Sequence, residues 1–210
     1  MRLVLYISLA AFLGTCSPRP TILEQVLETG ELRVVTRESP TAYVDSPDGP
    51  SGPEYDLVSA FAEDLGVDLI IEPVQSVSEV IPHLIDGKAH MAAAGLSTTE
   101  SRREYVDFGH PYEMVDMQLI YKLGTGKPRS LDEAIGRPIE VVAGTSHADM
   151  LVSLQERYPD LNWSENADVE VATLLAKVAE GEVDFTIADS TEFNIQRHFY
   201  PDLRVALDLQ

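Results

Sequence analysis

The chain has 210 residues, with 35 acidic and 15 basic side chains and a formal net charge of −20. Binding to nucleic acid phosphates requires a basic patch, and the longest run of Lys or Arg here is the pair Arg102-Arg103. We therefore expect no nucleic-acid partner. Hydrophobic residues make up 44% of the chain, which excludes a disordered chain and leaves room for one domain or two small lobes.

The first sixteen residues are typical of an export signal. Met1-Arg2 precedes an apolar stretch over residues 3–13, and Gly14-Thr15-Cys16 follows it. The stretch is too short to span a membrane, which needs about 20 apolar residues. Cys16 is the single cysteine of the chain, so no internal disulfide can form. Residues 13–16 resemble a bacterial lipoprotein box, which predicts lipidation of Cys16, with plain cleavage or an uncleaved anchor as alternatives.

In the first half, helix-like and strand-like patterns alternate. A capping box at Thr21 and Glu24 predicts a short helix that ends at Gly30. The segments that follow are predicted as a strand (32–36), a helix (56–65), a strand (69–74), a helix (77–85) and a strand (91–96). Pro82 is tolerated in the fourth of these only if it lies in the first helical turn.

The second half repeats the alternation. A strand is predicted at residues 117–121, and the Gly-rich segment after it predicts a boundary between two lobes. A second capping box at Ser130 and Glu133 comes next. The later segments are predicted as a strand (139–143), a helix (147–158), a helix (171–178) and a strand (185–188). Such alternation predicts an α/β fold with parallel sheets.

The segment from Ser97 to Arg102 is the first candidate for chemistry. It begins where a strand ends, and Ser97, Thr98 and Thr99 are all good N-caps for a following helix. Free backbone amides and an Arg fork at that place can hold a carboxylate. Spacing alone favours an ordinary capped turn with a solvated Arg over such a site.

Ordered motifs along the chain resemble those of the family 3 extracellular solute-binding proteins. The longest is AGLSTTESR at residues 94–102, which continues as VDFGHPY at 106–112. Shorter matches are LRVVT at 32–36, EYDLV at 54–58 and DFTIAD at 184–189. The resemblance implies a two-lobed periplasmic-binding-protein-like fold of type II, with a ligand cleft that closes by hinge motion.

Within that family, the chain resembles the N-terminal module of the membrane-bound lytic murein transglycosylases of type F. The stretches that carry this resemblance are residues 23–34, 141–148 and 188–206. Together with the residue patterns above, it implies four parts: a signal peptide (1–16), a linker with a short helix (17–31), an incomplete lobe 1 (32–121) and a lobe 2 (122–210). It also implies a fold truncated at its C-terminus and no catalytic domain in this chain.

The resemblance also implies the ligand contacts. Arg102 would hold an α-carboxylate, with backbone N–H groups around Gly95 and Ser97. Asp189 would accept from an α-ammonium, although an Asp there can equally cap the next helix. Thr145 and Ser146 would add donors from the opposite lobe. Tyr43 would be a lid aromatic.

The expected function is therefore binding of an amino-acid-like or muropeptide-derived solute in the periplasm, at the outer membrane of a Gram-negative cell. In a complete transglycosylase this binding would regulate the lytic domain that acts on peptidoglycan. Two alternatives stay open: a free-standing receptor of an ABC importer, and an enzyme resembling cyclohexadienyl dehydratases, with Glu113 or His110 as its acid.

No cofactor and no metal are expected. The five His residues have no ligand spacing such as H-x-x-x-H, and Gly124-Thr125-Gly126-Lys127 lacks the spacing of a phosphate loop. A serine-hydrolase elbow is missing as well.

Overall fold

The computed structural model describes residues 19–209. The predicted signal segment and Cys16, the candidate for lipidation, lie outside the described residues. Within residues 19–209, no helix combines the length and the apolar character that crossing a membrane would need.

The first half is a three-stranded parallel sheet with helices around it. Its elements are α1 (Ile22–Thr29), β1 (Glu31–Arg37), α2 (Pro53–Leu65), β2 (Asp68–Val74), α3 (Val80–Ile85), β3 (Met91–Ala92) and α4 (Glu100–Arg103). The strand order is β2-β1-β3, and both neighbours of β1 run parallel to it. This order leaves β1 central, so that Val34 and Val35 are fully buried.

Local signals explain most of these boundaries. The capping box of Thr21 and Glu24 is formed, and Gly30 ends α1 in the left-handed conformation, with φ 73°. Pro82 lies in the first turn of α3, after a 3₁₀ turn at Val77–Glu79, so it removes no helical hydrogen bond. The strand predicted over residues 91–96 is shorter, because only Met91 and Ala92 pair with β1.

The second half is a mixed sheet. Its elements are β4 (Met117–Lys122), β5 (Glu140–Val142), α5 (Ser146–Gln155), β6 (Ser164–Asn166), α6 (Val171–Glu180), β7 (Phe185–Asp189), α7 (Ser190–Gln196) and β8 (Leu203–Asp208). Strand β5 is parallel to β6, and an isolated bridge from Ile139 to Phe185 joins them to β7. The predicted capping box at Ser130 precedes a 3₁₀ turn, Leu131–Ala134, and the Ser130 side chain does not cap it.

Strand β4 differs from the prediction in partner and direction. It lies between β7 and β8 and is antiparallel to both, so the second sheet is not purely parallel. The predicted lobe boundary puts residues 117–121 in lobe 1, whereas this pairing puts β4 in the sheet of the second half. Chain order did not reveal it, because strand partners depend on long-range contacts.

Each half has its own apolar core. In the first half, one cluster around Val26, Val34 and Val58 packs α1 and α2 onto the sheet. In the second half, Leu174, Leu175 and Val178 of α6 are fully buried on the sheet. The two cores are largely separate, although Val77 of the first half packs against the core of the second. The contacts between the halves can therefore change with little exposure of either core.

Candidate functional site

A cavity lies between the two halves, where several strands end. Arg37 ends β1, Val142 ends β5 and Asp189 ends β7, and all three line the cavity. The carboxyl ends of strands in α/β sheets are a common place for ligand sites. The free volume is about 30 Å³. This holds one or two water molecules, so an amino acid can enter only when the halves move apart.

Arg102 extends from α4 and joins the halves. Its guanidinium donates to the backbone oxygen of Ser97 at 2.8 Å and to that of Gly144, in the second half, at 3.2 Å. Only 7% of the residue is exposed. Burial lowers the pKa of Arg102, while the negative charges of Asp149 and Asp189 oppose that shift. The side chain is therefore a buried cation whose fork now bonds to carbonyl oxygens, which a carboxylate could replace.

Asp189 is a carboxylate on the opposite wall of the same cavity. Its Oδ1 lies 3.1 Å from Nε2 of His147. The alternative expectation, an Asp that caps α7, is not what the structure shows, since the Asp189 side chain makes no capping bond. The carboxylate is thus oriented by a histidine and still lines the cavity.

Of the two predicted carboxylate-binding amides, one is already occupied. Gly95 and Ser97 both line the cavity. The Gly95 N–H, however, donates to Oε1 of Glu54 at 2.9 Å, so it cannot serve a ligand in this arrangement. The Ser97 N–H makes no hydrogen bond within residues 19–209. The sequence could not reveal the competing carboxylate, because Glu54 lies 41 residues away along the chain.

Thr145 and Ser146 line the cavity at the start of α5, as predicted. The Thr145 hydroxyl donates to the backbone oxygen of Val142 at 2.7 Å. It is therefore not the free donor that the sequence analysis expected. Ser146 is buried and its hydroxyl has no partner within the described part of the chain, which leaves it free to donate.

Tyr43 does not line the cavity. It lies in the segment between β1 and α2, where its ring packs 5.9 Å from that of Tyr55. Burial, and then the nearby negative charge of Asp45, raise the pKa of its hydroxyl. The lid role expected for Tyr43 has no support in this geometry, because its backbone is tied to Glu38 and Ser39 instead.

The cavity also contains charged residues that sequence reasoning missed. Arg37 forms an ion pair with Glu170, at 2.7 Å, and this pair joins the first half to the second. Glu192 lies one helical turn after Asp189. Burial raises the pKa of Glu192, and the negative charges of Asp189 and Glu170 add to that effect. The signal for Glu192 in the sequence was the Asp-x-x-Glu spacing at a helix start, and this pattern is typical of a helix N-cap.

Two further contacts hold the halves together. Ser101 donates to Oδ2 of Asp149 at 2.9 Å. Gly144 lies against Ser78, so close that a Cβ built on Gly144 would be 2.9 Å from the Ser78 Cβ. The proposed dehydratase acids are elsewhere: Glu113 accepts from Thr191, and neither it nor His110 lines the cavity. No cluster of three or more metal-ligating side chains occurs in residues 19–209.

Chemically, the cavity offers a buried guanidinium and a carboxylate on opposite walls, with free donors near the guanidinium. The model of the bacterial extracellular solute-binding proteins, family 3, matches residues 32–161. The chain belongs to this family. Its fold is the two-lobed type II fold that the sequence analysis expected from its motifs.

A curated relative and two solved structures agree with this. The chain is 44% identical over 200 residues to a membrane-bound lytic murein transglycosylase F of Pseudomonas putida (strain W619), covering 94% of this chain and 41% of the relative. A mutant of ArgBP from T. maritima has a TM-score of 0.76 at 22% identity, covering 89% of this chain and 80% of ArgBP. An ancestral amino-acid-binding protein, described as a precursor of cyclohexadienyl dehydratase, has a TM-score of 0.75 at 23% identity. The match covers 90% of this chain and 82% of the ancestral protein.

The chain spans about two fifths of the length of the curated relatives it matches. The similarity to transglycosylases of type F confirms the narrower resemblance stated from the motifs. Membership of an extracellular family, together with these membrane-bound relatives, supports a periplasmic location.

Proposed function

We propose that the chain binds a small zwitterionic solute, an amino acid or a short peptide from the cell wall, in the cavity between its halves. The observation that carries the proposal is that Arg102 and Asp189, a cation and an anion from different halves, line one cavity. In this proposal Arg102 exchanges the Gly144 carbonyl for the solute's carboxylate, and Asp189 accepts from its ammonium. The buried setting strengthens both interactions relative to water.

Donors around the guanidinium complete the carboxylate subsite in this proposal. The Ser97 N–H, the Ser146 hydroxyl and the first N–H groups of α5 supply dipoles of the right sign for an anion. Two structural neighbours, an ancestral arginine-binding protein bound to arginine and an ancestral amino-acid-binding protein, are in keeping with such a solute.

Binding would control the relative position of the two halves. The ion pair of Arg37 with Glu170 and the bond from Arg102 to Gly144 join them now. A solute that replaces the second contact changes the balance between open and closed forms. In a longer transglycosylase of type F this change would regulate the lytic domain, with peptidoglycan as that domain's partner. Lipidation of Cys16 and anchoring at the outer membrane belong to the same proposal.

A calorimetric screen of the twenty amino acids and of muropeptides against the 210-residue chain tests the proposal. Arg102→Ala should weaken binding of the best solute about 10- to 100-fold, since hydrogen bonds to charged groups contribute about 1.5–3 kcal/mol. Arg103→Ala is the matched control, because Arg103 is exposed and does not line the cavity.

Asp189→Asn gives an independent reading, with Asp202→Asn as its exposed control. Thermal denaturation of each variant separates lost binding from lost folding. The proposal is wrong if no solute binds, or if folded Arg102→Ala and Asp189→Asn proteins bind as tightly as their controls.

A further inference from the structure

Glu192 is the cavity carboxyl that the proposed function leaves without a role. Arg102 and Asp189 are assigned to the solute's own carboxylate and ammonium. Arg37 and Glu170 pair with each other at 2.7 Å. Within residues 19–209, Glu192 makes no ion pair within 4.0 Å and no hydrogen bond, although it lines the same cavity.

The charges around Glu192 come from three elements. Arg37 of β1 and His147 of α5 favour its ionised form, while Asp189 beside it and Glu170 at the start of α6 disfavour that form. Burial is the largest influence and raises the pKa of its carboxyl. An ionised carboxyl in such a place is costly unless a cation or a donor lies against it.

His147 adds a second unsatisfied group in the same wall. Its Nε2 is engaged with Asp189, while its Nδ1 is buried with no hydrogen-bond partner in the described part of the chain. Only 4% of the residue is exposed. Buried polar groups without partners are rare, and each calls for an explanation such as a bound water or ligand.

A neutral zwitterion would satisfy Arg102 and Asp189 but leave Glu192 without an ion-pair or hydrogen-bond partner. A solute with a second positive group would bring a cation to the unpaired carboxyl. The spacing suits this arrangement, because Asp189 is the N-cap of α7, Glu192 is the third residue of that helix, and both line the cavity. One ligand can therefore contact both carboxyls with two amino groups.

We propose, given the zwitterion site above, that Glu192 selects solutes that carry a second cationic group, namely α-amino acids or wall-peptide residues with an ammonium or guanidinium side chain. Asp189 accepts from the α-ammonium and Glu192 from the side-chain cation. Because Arg37 pairs with Glu170, Glu192 is left as a cavity carboxyl with no ion-pair or hydrogen-bond partner among residues 19–209.

Calorimetry with lysine and norleucine tests this inference, because the two differ only in the terminal ammonium. The wild-type chain should bind lysine at least about tenfold more tightly than norleucine. Glu192→Gln, which keeps the shape, should lower lysine affinity by about the same factor and leave norleucine affinity unchanged. Glu182→Gln is the matched control, since Glu182 is exposed and outside the cavity.

The readout is the ratio of the two affinities, which a purely structural effect of the substitution would not move. Equal binding of lysine and norleucine by the wild type overturns the inference while the zwitterion site stands. So does a Glu192→Gln protein that loses both affinities equally, which would make Glu192 part of the α-ammonium site. If neither probe binds and no amino acid of the wider screen does, the proposed function fails and the inference fails with it.

Discussion

Glu54 is the residue that fixes one wall of the cavity from behind. It is buried near the start of α2, where its carboxylate accepts the Gly95 N–H and the Tyr112 hydroxyl. Both the wall segment with Gly95 and the chain crossing between the halves are thereby held by one side chain. The predicted anion site is thus partly occupied by the protein itself.

Glu54→Ala should lower the free energy of unfolding by about 2–4 kcal/mol, because two donors lose a buried anionic acceptor. Tyr112→Phe removes one of the two bonds and should cost about half as much. Urea denaturation measures both. Glu63→Ala, at an exposed position of the same helix, should stay within about 0.5 kcal/mol of the wild type. A Glu54→Ala protein as stable as the Glu63→Ala protein would contradict this role.

Glu192 should make stability depend on pH. Because burial raises its folded-state pKa above the usual value of 4.5, folding becomes less favourable as pH rises through that raised pKa. Below the unfolded-state pKa the carboxyl is protonated in both states and the cost vanishes. Glu192→Gln should therefore be more stable than the wild type at pH 7, and the difference should shrink towards pH 4.

Denaturation of both proteins at a series of pH values checks this. The same series on Glu182→Gln should show no such trend, since that side chain is exposed. A wild-type chain that is more stable than Glu192→Gln at pH 7 would mean that Glu192 is already stabilised by a partner.

Sequence reasoning located part of this cavity and missed the rest for a physical reason. Arg102, Thr145, Ser146 and Asp189 belong to motifs whose order along the chain is recognisable. Arg37 and Glu170 are different, because each is unremarkable locally and the two meet across 133 residues. Whether a charged side chain in a cavity is paired depends on such long-range contacts, so no local pattern could reveal that Glu192 lacks an ion-pair partner.

At the scale of elements, the turns that face the cavity decide how closely the halves approach. The turn between β5 and α5 contains Gly144, with φ 71°, and it lies against Ser78 of the 3₁₀ turn before α3. The local alternation of helices and strands was predicted well from periodicity. The antiparallel pairing of β4 was not, since pairing is decided by which strands the chain brings together.

Gly144→Ala should hold the halves apart and strengthen solute binding, because the solute has to displace the bond from Arg102 to the Gly144 carbonyl. The added Cβ would lie 2.9 Å from the Ser78 Cβ, so the two turns must separate. The left-handed backbone alone costs about 1–2 kcal/mol of stability in any such substitution. Gly136→Ala is the matched control, because Gly136 has φ 80° with nothing within 4 Å of the added atom.

Both variants should therefore lose similar stability, and Gly144→Ala alone should gain solute affinity and have a larger radius of gyration without solute by X-ray scattering. Equal solute affinity of the two variants would contradict the view that the solute competes with the contact between the halves.

At the scale of the whole molecule, two halves meet mainly through polar contacts around a small cavity. The inter-half contacts of the described residues include an ion pair, hydrogen bonds and the packing of Val77 against the second core, while the rest of each apolar core stays within its half. Polar contacts of this kind exchange readily with a ligand, because partners of the same chemistry can replace them. This arrangement connects occupancy of the cavity to the relative position of the halves.

The most direct test compares the best-binding amino acid of the screen with its decarboxylated and deaminated analogues, by calorimetry on the 210-residue chain. If Arg102 and Asp189 hold the two ends of a zwitterion, each analogue should bind at least about tenfold more weakly. Arg102→Ala should hardly change the affinity for the decarboxylated analogue, and Asp189→Asn should hardly change the affinity for the deaminated one. In each case the analogue already lacks the group that the substituted residue would bind. An analogue that lacks one charge and still binds as tightly as the parent amino acid would contradict the account.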